Sequence, residues 1–146
     1  MCAQHQFLWG KHFYKNLDFY LNKIILLYLM NETINKFNEI SLSFLEQTAP
    51  ITGTHYIKMF KLMKSLNNIA PINIFIRNVL PHKQKIIARN EMYFTEQSRN
   101  NNNNDIIGIS KIYHILDDES KNNVWDIITA LVLLAEQKHI SSIKCC

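Results

Sequence analysis

The chain has 146 residues, 47% of them apolar, and a formal net charge of +4. That length suits one domain, which buries roughly 68–70% of its unfolded surface and closes a core without disulfides or metal. Three glycines and three prolines are too few for an all-β chain, which takes a turn about every eight to twelve residues.

Residues 1–29 read as an irregular, aromatic-rich extension, separate from a helical domain over 30–146. They hold Phe7, Trp9, Phe13, Tyr14, Phe19, Tyr20 and Tyr28. A helix over Leu17–Met30 is an alternative, but its apolar positions wrap most of the way round, so it is either buried or sticky. Asn31 followed by Glu32 suits a helix start, and Ile34, Phe37, Ile40, Phe44 and Leu45 form its stripe, with Thr48-Ala49-Pro50 as its end.

A second helix begins near Thr52 or Thr54, with Tyr56, Ile57, Phe60, Met63 and Leu66 inward and Asn67-Asn68 closing it. Pro71 sits well in a first helical turn, so Ile72–Leu80 reads as a third helix that buries Ile72, Phe75, Ile76 and Val79. Pro81 starts a fourth, through Ile86 and Ile87, whose end Tyr93-Phe94 packs against the bundle.

Asn100 to Asn104, flanked by Ser98-Arg99, marks a disordered Asn-rich loop near 97–105, because asparagine competes for its own backbone hydrogen bonds and supplies no core surface. Beyond it Ile106, Ile109, Ile112, Tyr113 and Leu116 fall at helical spacing. Asp117-Asp118-Glu119 punctuates the start of a last helix striped by Val124, Trp125, Ile128, Leu131, Val132 and Ala135. The expected fold is all-α, a compact bundle of about five to six helices.

No CxxC, HExxH or glycine-rich phosphate loop occurs, and the six histidines are scattered. His114 reads as a partly exposed helix residue, because a general base needs an orienting partner. No catalytic residue, metal site or cofactor is expected. Cys2, Cys145 and Cys146 lie at the termini, a reducing-compartment pattern with free thiols; Cys145-Cys146 is no C-a-a-X terminus. The apolar run Ile24–Met30 is far short of the roughly 20 residues of a membrane helix, so a soluble intracellular protein is expected.

Charge is the informative feature. Between Glu46 and Glu91 there is no acidic residue, yet Lys58, Lys61, Lys64, Arg77, Lys83, Lys85 and Arg89 fall there, giving that block +7. Residues 1–46 balance at zero, and 91–146 come to −3 from five basic and eight acidic residues. A one-signed surface attracts phosphate or acidic protein, so these seven side chains are candidate contacts for either. The alternative is a polar face whose counter-charges come from the acidic C-terminal part on folding. Trp125, if exposed, would be an interface anchor; on an apolar stripe it is more often core.

Two stretches carry a resemblance. Pro71-Ile72-Asn73-Ile74-Phe75-Ile76-Arg77-Asn78-Val79-Leu80-Pro81, continuing to Ile87-Ala88-Arg89-Asn90-Glu91-Met92-Tyr93-Phe94, and Leu116-Asp117-Asp118-Glu119-Ser120-Lys121-Asn122-Asn123-Val124-Trp125-Asp126-Ile127-Ile128 resemble small helical proteins of large nucleocytoplasmic DNA viruses. The similarity runs roughly over residues 31–138, with Asn90 in place of the usual acid and Asp126 in place of the commoner basic residue. It implies a giant-virus, mimivirus-like origin and a helical domain, and it supplies no catalytic residues. The expectation that follows is a non-enzymatic viral protein working by protein–protein contact, with a viral or host protein as partner, in the host cytoplasm or the virion. Nucleic-acid association through the basic block is the alternative.

Overall fold

A computed structural model describes the backbone of residues 2–99 and 108–144, and side chains from residue 15 onward within those ranges. Among the described residues there are six α-helices and no strand, so the all-α expectation holds. Helix α1 spans Cys2–Thr52, α2 His55–Leu66, α3 Ala70–Asn78, α4 Lys83–Ile87, α5 Met92–Arg99 and α6 Asp118–Lys144, with 3-10 turns at Leu80–His82 and Tyr113–Ile115.

The first correction concerns the chain's start. The extension expected to be irregular is continuous with the next helix, and Asn31 is an interior residue of one 51-residue helix. At 1.5 Å per residue it is about 76 Å long. Apart from Gly10, nothing before Pro50 breaks a helix. Pro50 lies in its last turn, and the helix ends two residues later, where Gly53 takes φ +89° and its N–H donates to the Ala49 carbonyl at 2.8 Å. That left-handed residue, which glycine adopts without a Cβ penalty, is the terminator.

Asn67 stops α2, its N–H donating to the Met63 carbonyl at 3.0 Å. Pro71 stands in the first turn of α3, where its missing N–H costs nothing. At the start of α6 the Asp117 carboxylate accepts the Ser120 N–H at 2.7 Å, an N-cap that holds the carboxyl below its ordinary range.

The core gathers one face from each element. Ile34, Phe37 and Phe44 of α1 meet Ile72 and Phe75 of α3 and the α6 stripe from Val124 to Ala135. Phe37 and Phe75 stack edge to face with centroids 5.2 Å apart. Tyr93 and Phe94 are buried as expected, but they open α5 rather than end α4. Helices α1 and α6 form the long central pair, α3 lies on both, and α2 packs on α1 and α3.

Two further expectations change. Residues 97–99, placed in the loop, form the last turn of α5, and 100–107 lie outside the described residues. The stretch from Ile109 to Leu116 is a turn and a 3-10 turn, although Ile109 and Tyr113 are buried. Its conformation follows from its ends: Gly108 has φ +66° and Leu116 is extended, so no longer helix fits between them.

Gly108 is also a point of close approach. A Cβ there would stand 2.5 Å from Cζ of Tyr56, inside the ring's contact distance. Gly108→Ala combines left-handed strain with that clash, and should lower the unfolding free energy by about 2–3 kcal/mol. Gly53→Ala, whose Cβ meets nothing nearer than 3.5 Å, should cost about 1 kcal/mol. Urea titration of both variants checks the ranking.

Candidate interaction site

The seven basic residues divide in two. Lys83 Nζ donates to both Glu136 oxygens at 2.6 and 2.7 Å, joining α4 to α6. Lys85 Nζ donates to Glu96 Oε2 at 2.6 Å and holds that carboxyl below the ordinary range. Arg89 pairs with Asp126 and also donates to Asn122 at 3.4 Å. Arg89 turns the chain at φ 51°, with its N–H donating to the Ile86 carbonyl at 3.0 Å. The acceptors lie 53, 11 and 37 residues along the chain, all in the acidic C-terminal part. These pairs are partly open to solvent, which screens their attraction, so their main effect is to offset charge.

Lys58, Lys61, Lys64 and Arg77 are exposed, and among the described residues no carboxylate lies within ion-pair distance of them. Three of them share α2. At roughly 100° per residue Lys58, Lys61 and Lys64 step around one flank of that helix, from roughly opposite buried Phe60 at Lys58 to beside it at Lys64. Next to Lys58 on the outer face stand Met59, Leu62 and Leu66, exposed by 61%, 62% and 79%. Leu66, expected to point inward, is therefore the most exposed of the large apolar side chains of α2. At six residues past buried Phe60, Leu66 is turned roughly 120° from it, onto the side of Met59 and Leu62.

Trp125 is not an interface anchor. It is 3% exposed, packs against Phe94 with centroids 4.7 Å apart, and donates its Nε1–H to the Tyr113 hydroxyl at 2.9 Å. Tyr113 in turn donates to Glu91 Oε1 at 3.1 Å. Burial raises the phenol's pKa above the ordinary tyrosine value, against the opposing pull of the indole N–H. His114 is exposed, with Thr95 Oγ1 3.4 Å from its Nε2. The terminal cysteine thiols lie outside the described side chains.

A second surface escaped the charge argument. Within α1, residues 15–25 and 27–29 are exposed, among them Phe19, Tyr20, Ile24 and Tyr28. Tyr28 donates to Glu32 Oε1 at 2.8 Å, and that carboxylate raises the phenol's pKa. The wrap-around apolar pattern signalled this surface; only the fold decides between buried and exposed, and here it is exposed. No helix among the described residues is long and apolar enough to cross a membrane.

The class defined by these features is an all-α bundle with one long, partly projecting helix and a basic-apolar outer face on α2. No protein-family model matches the chain, and no curated protein or solved structure matches it.

Proposed function

We propose that the protein is a non-enzymatic viral protein acting by protein–protein contact in the infected cell or virion. The viral setting draws on the resemblance of residues 71–94 and 116–128. The contact is supported by one observation above others, the outer face of α2, where Met59, Leu62 and Leu66 stand exposed beside Lys58 and Lys61, which have no ion-pair partner among the described residues. An apolar strip with a basic flank complements an acidic amphipathic helix, whose Leu or Ile side chains lie on the strip while its carboxylates meet the lysines.

The nucleic-acid reading calls on the same lysines but not on Met59, Leu62 or Leu66. With Lys83, Lys85 and Arg89 already paired, four cations remain to neutralise phosphates, which gives a salt slope of about −3.6 rather than about −6 for all seven. A synthetic acidic amphipathic helix and a DNA duplex, each followed by fluorescence anisotropy from about 50 to 300 mM salt, separate the readings. Protein docking predicts that Leu62→Ser weakens peptide binding at least about tenfold, and that Lys61→Glu weakens it further. Duplex binding that Leu62→Ser leaves intact, with no peptide bound, would replace this proposal with the phosphate reading.

A further inference from the structure

The face of α2 leaves the projecting part of α1 without a role, and that segment has its own pattern. Leu17, Tyr20, Leu21, Ile24, Leu27 and Tyr28 recur at three- and four-residue intervals and occupy one side of the helix. All are at least 42% exposed. Lys15, Asn16, Asp18, Asn22 and Lys23 lie across the other side, with the apolar Phe19, Leu26 and Leu29 among them. The apolar side is rotated roughly 130° from the one that Ile34, Phe37 and Phe44 turn to the core. It therefore points away from the bundle, which cannot cover it.

We infer that this stripe pairs with the same stripe of a second copy, antiparallel, in a two-fold symmetric dimer. Monomeric soluble proteins rarely expose apolar patches beyond a few hundred Å². Half-exposed large side chains contribute on the order of 100 Å² each, so the stripe supplies about 600 Å² or more, close to the roughly 800 Å² that each partner gives a stable dimer.

Charge selects the occupant and the direction. The polar side carries two lysines and one aspartate over residues 15–29, too little positive charge for the Lys/Arg-rich face of a helix that lies on a membrane surface. It also sets no strong repulsion between two copies. Past Tyr28 the stripe's own side of α1 becomes acidic: Glu32, Glu39 and Glu46 recur every seven residues and are exposed. A parallel pair would set each of these against its own mate, at a cost that increases along the helix. An antiparallel pair centred near residue 22 instead sets the glutamates of the two copies far apart along the helix axis. It puts Leu17 and Tyr20 of one copy beside Leu27 and Ile24 of the other, with the two bundles at opposite ends.

The full chain should sediment as a dimer at micromolar concentration. Ile24→Glu should raise the dimer dissociation constant more than about 100-fold with the helical circular dichroism retained, whereas Lys23→Ala on the polar side should leave it unchanged. With Cys2, Cys145 and Cys146 changed to Ser, a spin label at Glu39→Cys should give a label separation of about 50 Å, against less than about 20 Å for a parallel pair. A chain that stays monomeric at about 100 µM, or a dimer indifferent to Ile24→Glu, would overturn the inference. So would a short label distance. A monomer that floats with vesicles of anionic lipid would also overturn it, in favour of a membrane surface. The dimer does not depend on α2: Leu62→Ser must not affect sedimentation, and Ile24→Glu must not affect peptide binding, so each proposal fails separately.

Discussion

Trp125→Ala should lower the unfolding free energy by about 3–5 kcal/mol, the range for removing a buried indole from a core that cannot close over the space. For a chain of this size that is a fall in Tm of about 10–20 °C. Trp125 is pinned on several sides, by Phe94 at 4.7 Å, by Tyr113 edge-on at 5.7 Å and by its own helix, which leaves little room for relaxation. Part of the loss is polar. Trp125→Phe keeps most of the volume but removes the donor to the Tyr113 hydroxyl, and should cost about 1–2 kcal/mol. Tyr113→Phe strands the indole N–H in the core and should cost a similar amount. In the double variant neither group is left over, so the two losses should fall short of additive. Thermal unfolding of the four proteins tests this; full additivity would mean that the hydrogen bond contributes nothing.

The same phenol makes the fold sensitive to alkali. Burial raises the Tyr113 pKa above its unfolded value, so the neutral form is favoured in the native state. That contribution is complete below the ordinary tyrosine pKa of about 10, and it is lost as pH climbs through the raised value. Tyr113→Phe should remove this part of the alkaline decline.

Asn38→Asp should destabilise by about 3–5 kcal/mol at neutral pH, through a buried charge without a partner. Asn38 is 1% exposed, and its Nδ2 donates to both the backbone carbonyl and Oδ1 of Asn68 at 2.9 Å. This clamp ties α1 to the turn between α2 and α3. Aspartate places a carboxylate oxygen against two acceptors. The introduced carboxyl then titrates above its unfolded value of about 3.9. The penalty should therefore be full above the raised pKa and disappear below about pH 4, where both states are protonated. Asn38→Leu gives the contrast. It forfeits two hydrogen bonds but also removes Oδ1, which has no partner among the described residues, and should cost about 1–3 kcal/mol with no pH dependence. Urea titrations at pH 4 and 7 separate the two; an Asn38→Asp penalty equal at both would show that the carboxyl reaches solvent.

Much of this fold was legible in the residues because its signals are local. The stripe from Ile34 to Leu45, the stop at Asn67, Pro71 in a first turn and Asp117 before the last helix all depend on neighbours within about four positions, where helix periodicity and capping act. The same local reading failed where a local signal had no effect. Asn31-Glu32 has the composition of a helix start, but a helix already running through it needs no cap. Gly108 shows as an isolated glycine, and its contact with Tyr56 joins residues far apart in sequence. Nothing within helical reach of Asn38 signals its role, because its partner Asn68 lies 30 residues away in sequence.

The sequence by itself determined an all-helical chain, its amphipathic faces, and a block of seven cations without an acid among them, since each follows from composition or short-range spacing. Only the tertiary structure decided which cations meet a carboxylate. Lys83, Lys85 and Arg89 meet Glu136, Glu96 and Asp126, whereas Lys58, Lys61 and Lys64 face outward. It also settled that Trp125 is core and that the apolar side of residues 17–28 is uncovered. The reason is physical: periodicity states that a face is apolar or charged, but what lies against that face depends on how distant segments come together in three dimensions.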